Sequence, residues 1–195
     1  MRPVTERISP LVFVQRRKTA PNAICDEEKA AIRAVLLSCL AEPVGKEVAL
    51  QIAVVVGKIA RFDVPREWPE LMPALMTAIQ NSGGNDLVQH RALLVLHHTV
   101  KSLSSKRLAS DRRVFHEMVS QMAPFVLRIW HAHHAAMSEA AAAAAAGATG
   151  DHLEASAAVA SPLEKAHVAM KVLRKSIVHG MRDPHKNQGC ASSSF

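Results

Sequence analysis

The sequence predicts an all-α protein, and three observations support this prediction. Apolar residues recur at helical spacing in six segments, and no segment shows the alternating pattern of a strand. Hydrophobic residues make up 49% of the 195-residue chain, but aromatic residues make up only 4% and tyrosine is absent. A core of leucine, valine, isoleucine, alanine and methionine suits helices better than sheets. Proline and glycine clusters separate the segments, which indicates helices joined by short connections.

The first three helical segments each combine an apolar stripe with a start signal or a stop signal. The first opens at Asp26, a residue type that caps helix N-termini, and its stripe is Ile32, Leu36, Cys39 and Leu40. The second has the most regular apolar face, formed by Val48, Ile52, Val55 and Ile59. Pro69 predicts the start of the third, because the N–H that proline lacks would have no partner at the first helical position. The stripe of the third is Leu71, Leu75 and Ile79.

The last three segments show similar signals. Asp86 and Gln89 have the spacing of a capping box, which predicts the start of the fourth segment. One face of this segment carries Leu87, His90, Leu94 and His97. The neighbouring face carries Leu93, Leu96, Val100 and Leu103. The fifth segment begins near Ser110, and Pro124 is expected to kink it. Its apolar stripe is Phe115, Met118, Met122, Phe125 and Ile129. Ser161-Pro162 combines an N-cap with a proline at the first helical position, which predicts the start of the sixth. The stripe of the sixth is Leu163, His167, Met170, Leu173 and Ile177.

Six helices with short connections predict three antiparallel hairpins of roughly 40 residues each, which is the period of HEAT-type repeats. The fold class is therefore an α-solenoid of about three HEAT-type helical hairpins. Low-complexity residues at 138–160 interrupt this order. Alanine has the best helix propensity, so Ala140–Ala146 is compatible with an extended fifth helix, and the stretch behind it is predicted to be a mobile linker. Residues 189–195 lack an amphipathic pattern and are predicted to be a disordered tail.

The joint between the second and third segments holds three prolines around one of the two tryptophans of the chain. Proline fixes φ and has no N–H, so Pro65, Pro69 and Pro73 predict a helix that ends, turns and restarts. Such a joint is typical of the boundary between two repeat units. Pro65, Trp68 and Pro69 are therefore interpreted as structural residues, with Trp68 as a packing wedge rather than a platform for a ligand.

The chain is basic, with a formal net charge of +7, and this charge suits an acidic partner. Six cations are candidates for partner binding: Lys101, Lys106, Arg107, Lys171, Arg174 and Lys175. Lys171, Arg174 and Lys175 have helical spacing, so they predict one basic face on the sixth segment, opposite Leu173 and Ile177. We expect this face, with Lys101, to meet an acidic protein surface. Nucleic acid is the rival partner, but it needs a groove-entering helix or aromatic platforms, and the sequence indicates neither.

No arrangement of residues indicates catalysis or a cofactor, so the chain is predicted not to be an enzyme. Cys25, Cys39 and Cys190 lack metal-ligand spacing and are expected to be reduced thiols. His131 and His134 have helical spacing, but zinc needs further ligands and none is suitably placed. No signal peptide is evident and the most apolar run, 48–60, is too short to span a bilayer, so a soluble intracellular protein is expected.

Several motifs are similar to those of one protein family. Residues 61–73 resemble the proline-tryptophan-proline joint in the N-terminal HEAT repeats of importin-β family nuclear transport receptors. The runs at 89–94, 104–112, 171–175 and 183–187 carry the same resemblance, which extends over residues 16–188. It implies a solenoid without catalytic residues that binds the GTP form of the small GTPase Ran, carries cargo proteins and contacts Phe-Gly nucleoporins. It also implies shuttling between nucleus and cytoplasm and presence at the nuclear envelope.

The resemblance suggests a division of the chain. Residues 1–15 match nothing in the family. The other parts are HEAT-type repeats at 16–137, the alanine-rich linker at 138–160, a final HEAT-type helix at 161–188 and the tail at 189–195. Members of the family are several times longer, so the chain is interpreted as a fragment of a receptor. The alternative is a generic HEAT-repeat scaffold or a truncated product without transport activity, and binding to GTP-loaded Ran distinguishes the two.

Overall fold

A computed structural model describes residues 24–42, 44–82, 85–146 and 152–181 of the chain. These residues form six α-helices and no strand, which confirms the all-α prediction. The helices are α1 Asp26–Ser38, α2 Lys46–Asp63, α3 Leu71–Gln80, α4 Asp86–Leu103, α5 Ala109–Ala145 and α6 His152–Gly180. The predicted segment 1–15 and the predicted tail 189–195 lie outside the described residues.

Successive helices pair as antiparallel hairpins, as the sequence predicts. Near the start of α4, Nε2 of Gln89 donates a hydrogen bond of 2.9 Å to the carbonyl of Ile79 near the end of α3. Near the start of α5, the ring of His116 forms a hydrogen bond with the carbonyl of Gly180 at the end of α6. The pair of α1 and α2 is looser, because α1 has no fully buried residue.

The second helices of the hairpins, α2, α4 and α6, form one layer in which neighbours run parallel. Near the start of α4, the guanidinium of Arg91 donates to three carbonyls of the loop before α2, those of Leu40, Glu42 and Val44. Near the end of α2, Nη1 of Arg61 donates to the carbonyl of Ser102 near the end of α4, at 3.1 Å. The centre of the layer is α4, which packs against α2, α3 and α6.

Asp86, the first residue of α4, joins α4 to α6. Its carboxylate lies 2.8 Å from Nζ of the buried Lys165 and accepts a hydrogen bond of 2.7 Å from Ser161. The predicted capping box is therefore wrong, because the carboxylate of Asp86 is used between helices. The N-cap of α4 is Asn85, whose side-chain oxygen accepts from the first-turn N–H groups of Leu87 and Val88.

Other helix starts also differ from the prediction. The N-cap of α1 is Cys25 rather than Asp26, and its thiol and Glu28 form a reciprocal capping box. The fifth helix agrees with its predicted start near Ser110, since it begins at Ala109, and it continues through Pro124, where the kink stays a prediction. Ser161-Pro162 does not start the sixth helix, because α6 already begins at His152 and runs through it.

The alanine-rich region contains more helix than predicted. Residues 138–145 belong to α5, which agrees with the extension of the fifth helix, whereas residues 152–160 belong to α6, so the linker predicted behind the alanine run is wrong over 152–160. The extension of the fifth helix into Ala140–Ala145 follows the high helix propensity of alanine. The final helix accordingly begins at His152 and not at 161.

The proline-rich joint lies between α2 and α3 and closes around Trp68, whose side chain is only 3% exposed. The N–H groups of Glu67 and Trp68 both donate to the carbonyl of Asp63, at 2.7 and 3.1 Å, so the chain curls over the end of α2. The peptide bond between Val64 and Pro65 is cis. The guanidinium of Arg33 lies 5.9 Å from the Trp68 ring centroid, and its Nε donates to the carboxylate of Asp63 at 3.1 Å.

Pro69 lies in this turn and not at the first position of α3, which begins at Leu71. Pro73 occupies the first turn of α3. Proline is tolerated there because N–H groups in the first turn have no acceptor within the helix. The stop and restart predicted from the prolines are confirmed, although the start of α3 was predicted two residues too early.

The buried faces of α3 and α5 agree with the predicted stripes. Leu71, Leu75 and Ile79 are fully buried, and in the α5 stripe Phe115, Met122 and Phe125 are buried while Met118 and Ile129 are partly buried. The stripe of α4 is partly wrong, because Leu87 is exposed while Leu93, Leu96, Val100 and Leu103 form the core.

The predicted faces of α2 and α6 are shifted around the helix. In α2 only Ile59 of the predicted face is buried, and in α6 only Leu173 is buried. The packed faces combine the buried valines Val56, Val168 and Val172 with small residues, which are Ala53, Gly57 and Ala60 in α2 and Ala166, Ala169, Ser176 and Gly180 in α6. A Cβ on Gly57 would lie 2.7 Å from the carbonyl oxygen of His98, so α2 and α4 approach each other as closely as glycine permits.

Candidate functional site

The structure divides the six predicted partner-binding residues among three places. The first place is the α4–α6 patch, which we define as Lys101, Lys171 and Lys175 with the two histidines His97 and His98. Lys101 and Lys171 are exposed, and Lys175 is half-buried. The patch spans two parallel helices of the second-helix layer, so it brings together residues that are far apart in the chain.

The pKa values of the two histidines of the patch are both lowered. Burial is the main cause that lowers the pKa of His97 to about 4, and positive charge from His98, Lys171, Lys101 and Lys175 adds to it. Burial also lowers the pKa of His98, with contributions from Lys101 and Lys171. Both rings are therefore neutral at neutral pH, and the lysines supply the charge of the patch. Nδ1 of His97 has no hydrogen-bond partner within the described residues.

Arg174, three residues after Lys171 on α6, is the second place. It is exposed, and it lies four residues after Met170 and three residues before Ile177, so the three side chains share one face of α6. Met170 and Ile177 are also exposed. The prediction placed Ile177 on the face opposite the basic residues, and this is wrong because Ile177 is 55% exposed. Arg174 therefore belongs to a mixed apolar and basic outer face of α6.

The third place is a cleft at the turn between α4 and α5. This turn cleft has a volume of about 480 Å³ and is lined by Arg61, Phe62, Ser105, Lys106, Arg107, Leu108 and Asp111. It contains Lys106 and Arg107, the remaining two predicted residues. Nζ of Lys106 donates to the carbonyl of Val64 at 3.4 Å and lies 3.8 Å from the Asp111 carboxylate.

A second cleft of about 300 Å³ adjoins the first and shares Ser105, Lys106 and Arg107 with it. It adds Arg112 at the start of α5 and His179 at the end of α6. The sequence did not predict a binding role for Arg61, Phe62 or Leu108. No signal in the sequence indicated them, because they meet only when the ends of α2 and α4 pack side by side.

The histidine pair of the metal hypothesis has another environment. The rings of His131 and His134 lie 4.9 and 5.2 Å from the ring of Trp130, centroid to centroid. Within the described residues, no group of three histidine, cysteine or acidic side chains is placed to hold a metal ion. Trp130 is half-buried, so it packs only in part.

None of the helices in the described part of the chain is both long enough and apolar enough to cross a membrane.

Known proteins similar to this chain are nuclear transport receptors. The chain is 41% identical over 171 residues to Importin-11 of Mus musculus, an alignment that covers 88% of this chain and 16% of the relative. It is 34% identical over 119 residues to the importin beta-like protein kap113 of Schizosaccharomyces pombe, which covers 59% of this chain and 12% of that protein. No protein-family model matches the chain.

The fold is also similar to a solved structure. Lph2 of S. cerevisiae, described as a bidirectional nuclear transport receptor, matches with a TM-score of 0.67 and 25% identity over 89% of this chain and 16% of that chain. The chain thus spans about a sixth of the length of the relatives that it matches.

Proposed function

Because this chain belongs to the importin-β family, we propose that it forms part of a receptor that carries proteins into the nucleus. Similarity to Importin-11 over most of the chain supports this function, and the helical solenoid supports it independently. The role is binding rather than catalysis. The hydrolysis of GTP belongs to the GTPase partner.

The proposed partners are the GTP form of Ran, cargo proteins and Phe-Gly nucleoporins. Cargo is held in the cytoplasm, and Ran-GTP in the nucleus binds the solenoid and releases it. Weak contacts with nucleoporins carry the complex through the pore. The protein accordingly shuttles between cytoplasm and nucleus and is found at the nuclear envelope, and it needs neither a cofactor nor membrane insertion.

The observation that carries the proposal is the α4–α6 patch. Lys101 and Lys171 are exposed on neighbouring parallel helices, and the strongest charges acting on His97 are all positive. Such a surface attracts an acidic protein surface and speeds its encounter. This chain contributes one part of the surface that grips Ran-GTP or acidic cargo.

A pull-down with Ran tests the proposal. Immobilised chain is incubated with Ran loaded with a non-hydrolysable GTP analogue or with GDP, and preferential capture of the GTP form is expected. The patch variant Lys171→Glu should reduce this capture about tenfold, because a charge reversal replaces attraction by repulsion. Arg113→Glu is the matched control, since Arg113 is exposed on α5 and lies outside the patch.

If the patch variant and Arg113→Glu lose Ran capture equally, the patch is not part of the interface with Ran. Equal or absent capture of the two nucleotide forms would favour the alternative function, a HEAT-repeat scaffold or a truncated product without transport activity.

A further inference from the structure

The turn cleft lies apart from the α4–α6 patch and has its own chemistry. We propose that it binds an acidic segment of a partner protein that carries a large apolar side chain. The cleft is formed by the end of α2, the turn after α4 and the start of α5. It therefore exists only in the folded stack of repeats, and it is a second binding surface in addition to the one proposed for Ran.

The charge of the cleft favours an anionic occupant. Three of its seven lining residues are cations, Arg61, Lys106 and Arg107, and only Asp111 is acidic. Asp111 is already close to Lys106, at 3.8 Å. Arg107 is exposed and makes no hydrogen bond or ion pair within the described residues, so its guanidinium is available to a carboxylate.

Arg61 is a second cation of the cleft that can bind a carboxylate, and its side chain is held in place by hydrogen bonds. Its Nη1 donates to the carbonyl of Ser102 at 3.1 Å and also to the hydroxyl of Ser105. A guanidinium has five N–H donors, so these bonds leave donors for a ligand while they fix the side chain. A cation held in this way loses less side-chain entropy when a partner binds.

The apolar part of the cleft favours an occupant with a large apolar side chain. Phe62 is 45% exposed and Leu108 is 70% exposed, although both are large apolar residues. They line the same cleft as the three cations. An apolar side chain placed against them removes apolar surface from water, which stabilises the complex. A segment with carboxylates on both sides of such a side chain satisfies both parts of the cleft.

The neighbouring cleft extends the basic surface. It shares Lys106 and Arg107 and continues to Arg112 and His179 without an acidic lining residue. The two clefts together suit an extended chain better than a compact small molecule. Nucleic acid is less suited, because successive bases stack on several aromatic rings, whereas this surface presents leucine beside a single exposed ring.

Fluorescence anisotropy with a labelled synthetic peptide tests the proposal. The probe has two clusters of glutamate that flank a leucine and a phenylalanine. One comparison peptide has glutamine in place of glutamate, and another has serine in place of both apolar residues. We expect each comparison peptide to bind at least about tenfold more weakly, which corresponds to about 1.4 kcal/mol. Added salt should weaken binding of the acidic peptide because it screens the charges.

Variants locate the binding. Arg107→Glu should weaken binding of the acidic apolar peptide about tenfold, whereas Lys171→Glu, with the same change of net charge in the α4–α6 patch, should change it less than about twofold. Phe62→Ala should weaken binding of this peptide and not of its serine version, since a double-mutant cycle isolates the apolar contact. All three side chains are exposed, and circular dichroism checks that each variant folds.

Three results would overturn the proposal. The first is that the glutamine peptide binds as tightly as the acidic apolar peptide. The second is that Arg107→Glu and Lys171→Glu weaken binding of the acidic apolar peptide equally. The third is that a single-stranded DNA oligonucleotide of the same charge binds more tightly than this peptide. The assay contains no GTPase, so its failure leaves the Ran pull-down unaffected. Failure of the pull-down likewise leaves the peptide result unaffected.

Discussion

The indole ring of Trp68 fills the joint between α2 and α3, with Arg33 beside it and almost no exposure to solvent. The sequence predicted this role from the surrounding prolines, since a large ring at a restart between helices has a repeat boundary to fill. It did not predict Arg33, because the contact joins residues 35 positions apart, and no local pattern encodes such a pair.

Replacing Trp68 by alanine should cost about 3–5 kcal/mol of unfolding free energy, because it leaves a cavity in the joint. Urea denaturation measures this loss. Trp130→Ala is the control, and a smaller loss is expected because Trp130 is only half-buried. A loss below about 1 kcal/mol for Trp68→Ala would place the ring outside the packed joint.

His97 makes stability depend on pH. Its pKa is about 4 in the folded protein against an ordinary value of 6.5, so the unfolded chain binds more protons between these values. Stability is therefore complete above this window and falls as pH falls through it. Burial lowers the pKa of His90, His98 and His133 as well, and these rings act in the same direction.

Thermal melts at a series of pH values test this dependence. The midpoint should fall as the pH is lowered from about 7 to about 4.5, and His97→Gln should show a weaker fall because it removes one titrating ring. His167→Gln, at an exposed position of α6, should keep the full dependence. The prediction fails if the His97 variant and the parent show the same pH profile.

At the scale of helices, the sequence predicted the six helices of the described residues and which neighbours pair, but it misplaced the packed faces of α2 and α6. Large apolar residues dominate a periodicity argument, whereas the packed faces of α2 and α6 also contain alanine, glycine and serine. Small residues allow close backbone approach, and their value is visible only when the partner helix is known. The cap of α4 was predicted wrongly for a related reason, because the carboxylate of Asp86 binds Lys165 of another helix instead of capping its own.

The close approach of α2 and α4 at Gly57 predicts an unusual response to alanine. Alanine in a helix is normally better than glycine by about 1 kcal/mol. Here its Cβ would meet the backbone of His98 at 2.7 Å, so Gly57→Ala should instead destabilise the protein by about 1–3 kcal/mol. Chemical denaturation measures the change. Gly45→Ala is the control, since a Cβ there meets only a side-chain atom of Glu47 at 3.6 Å, and a gain in stability for Gly57→Ala would contradict the packing.

At the scale of the whole molecule, apolar residues are exposed on both the first hairpin and the last helix. They are Ile32, Val35, Val48 and Leu50 on the first hairpin, and Leu163, Met170, Ile177 and Val178 on α6. Repeats in a solenoid bury such faces against their neighbours. The six partner-binding candidates were likewise recognised as cations from the sequence, but only the stacking of repeats sorts them into a patch, a cleft and an outer face.

These exposed faces predict self-association of the isolated chain. Sedimentation velocity should show a weight-average mass that rises with concentration. The double variant Met170→Glu, Ile177→Glu should shift the equilibrium towards monomer, because it places charge in an apolar contact. Gln121→Glu introduces the same side chain at an exposed position of α5 and should leave the association unchanged. A parent chain that stays monomeric at all concentrations would contradict the prediction.

The central position of α4 also determines where the molecule opens first. Amide hydrogens exchange with solvent through local opening, whose free energy is lowest where few side chains are buried. The helix α1 buries no residue fully, whereas α4 is packed on three sides. Deuterium should therefore enter α1 first and α4 last, so the repeats loosen from the edge inward while one central helix persists.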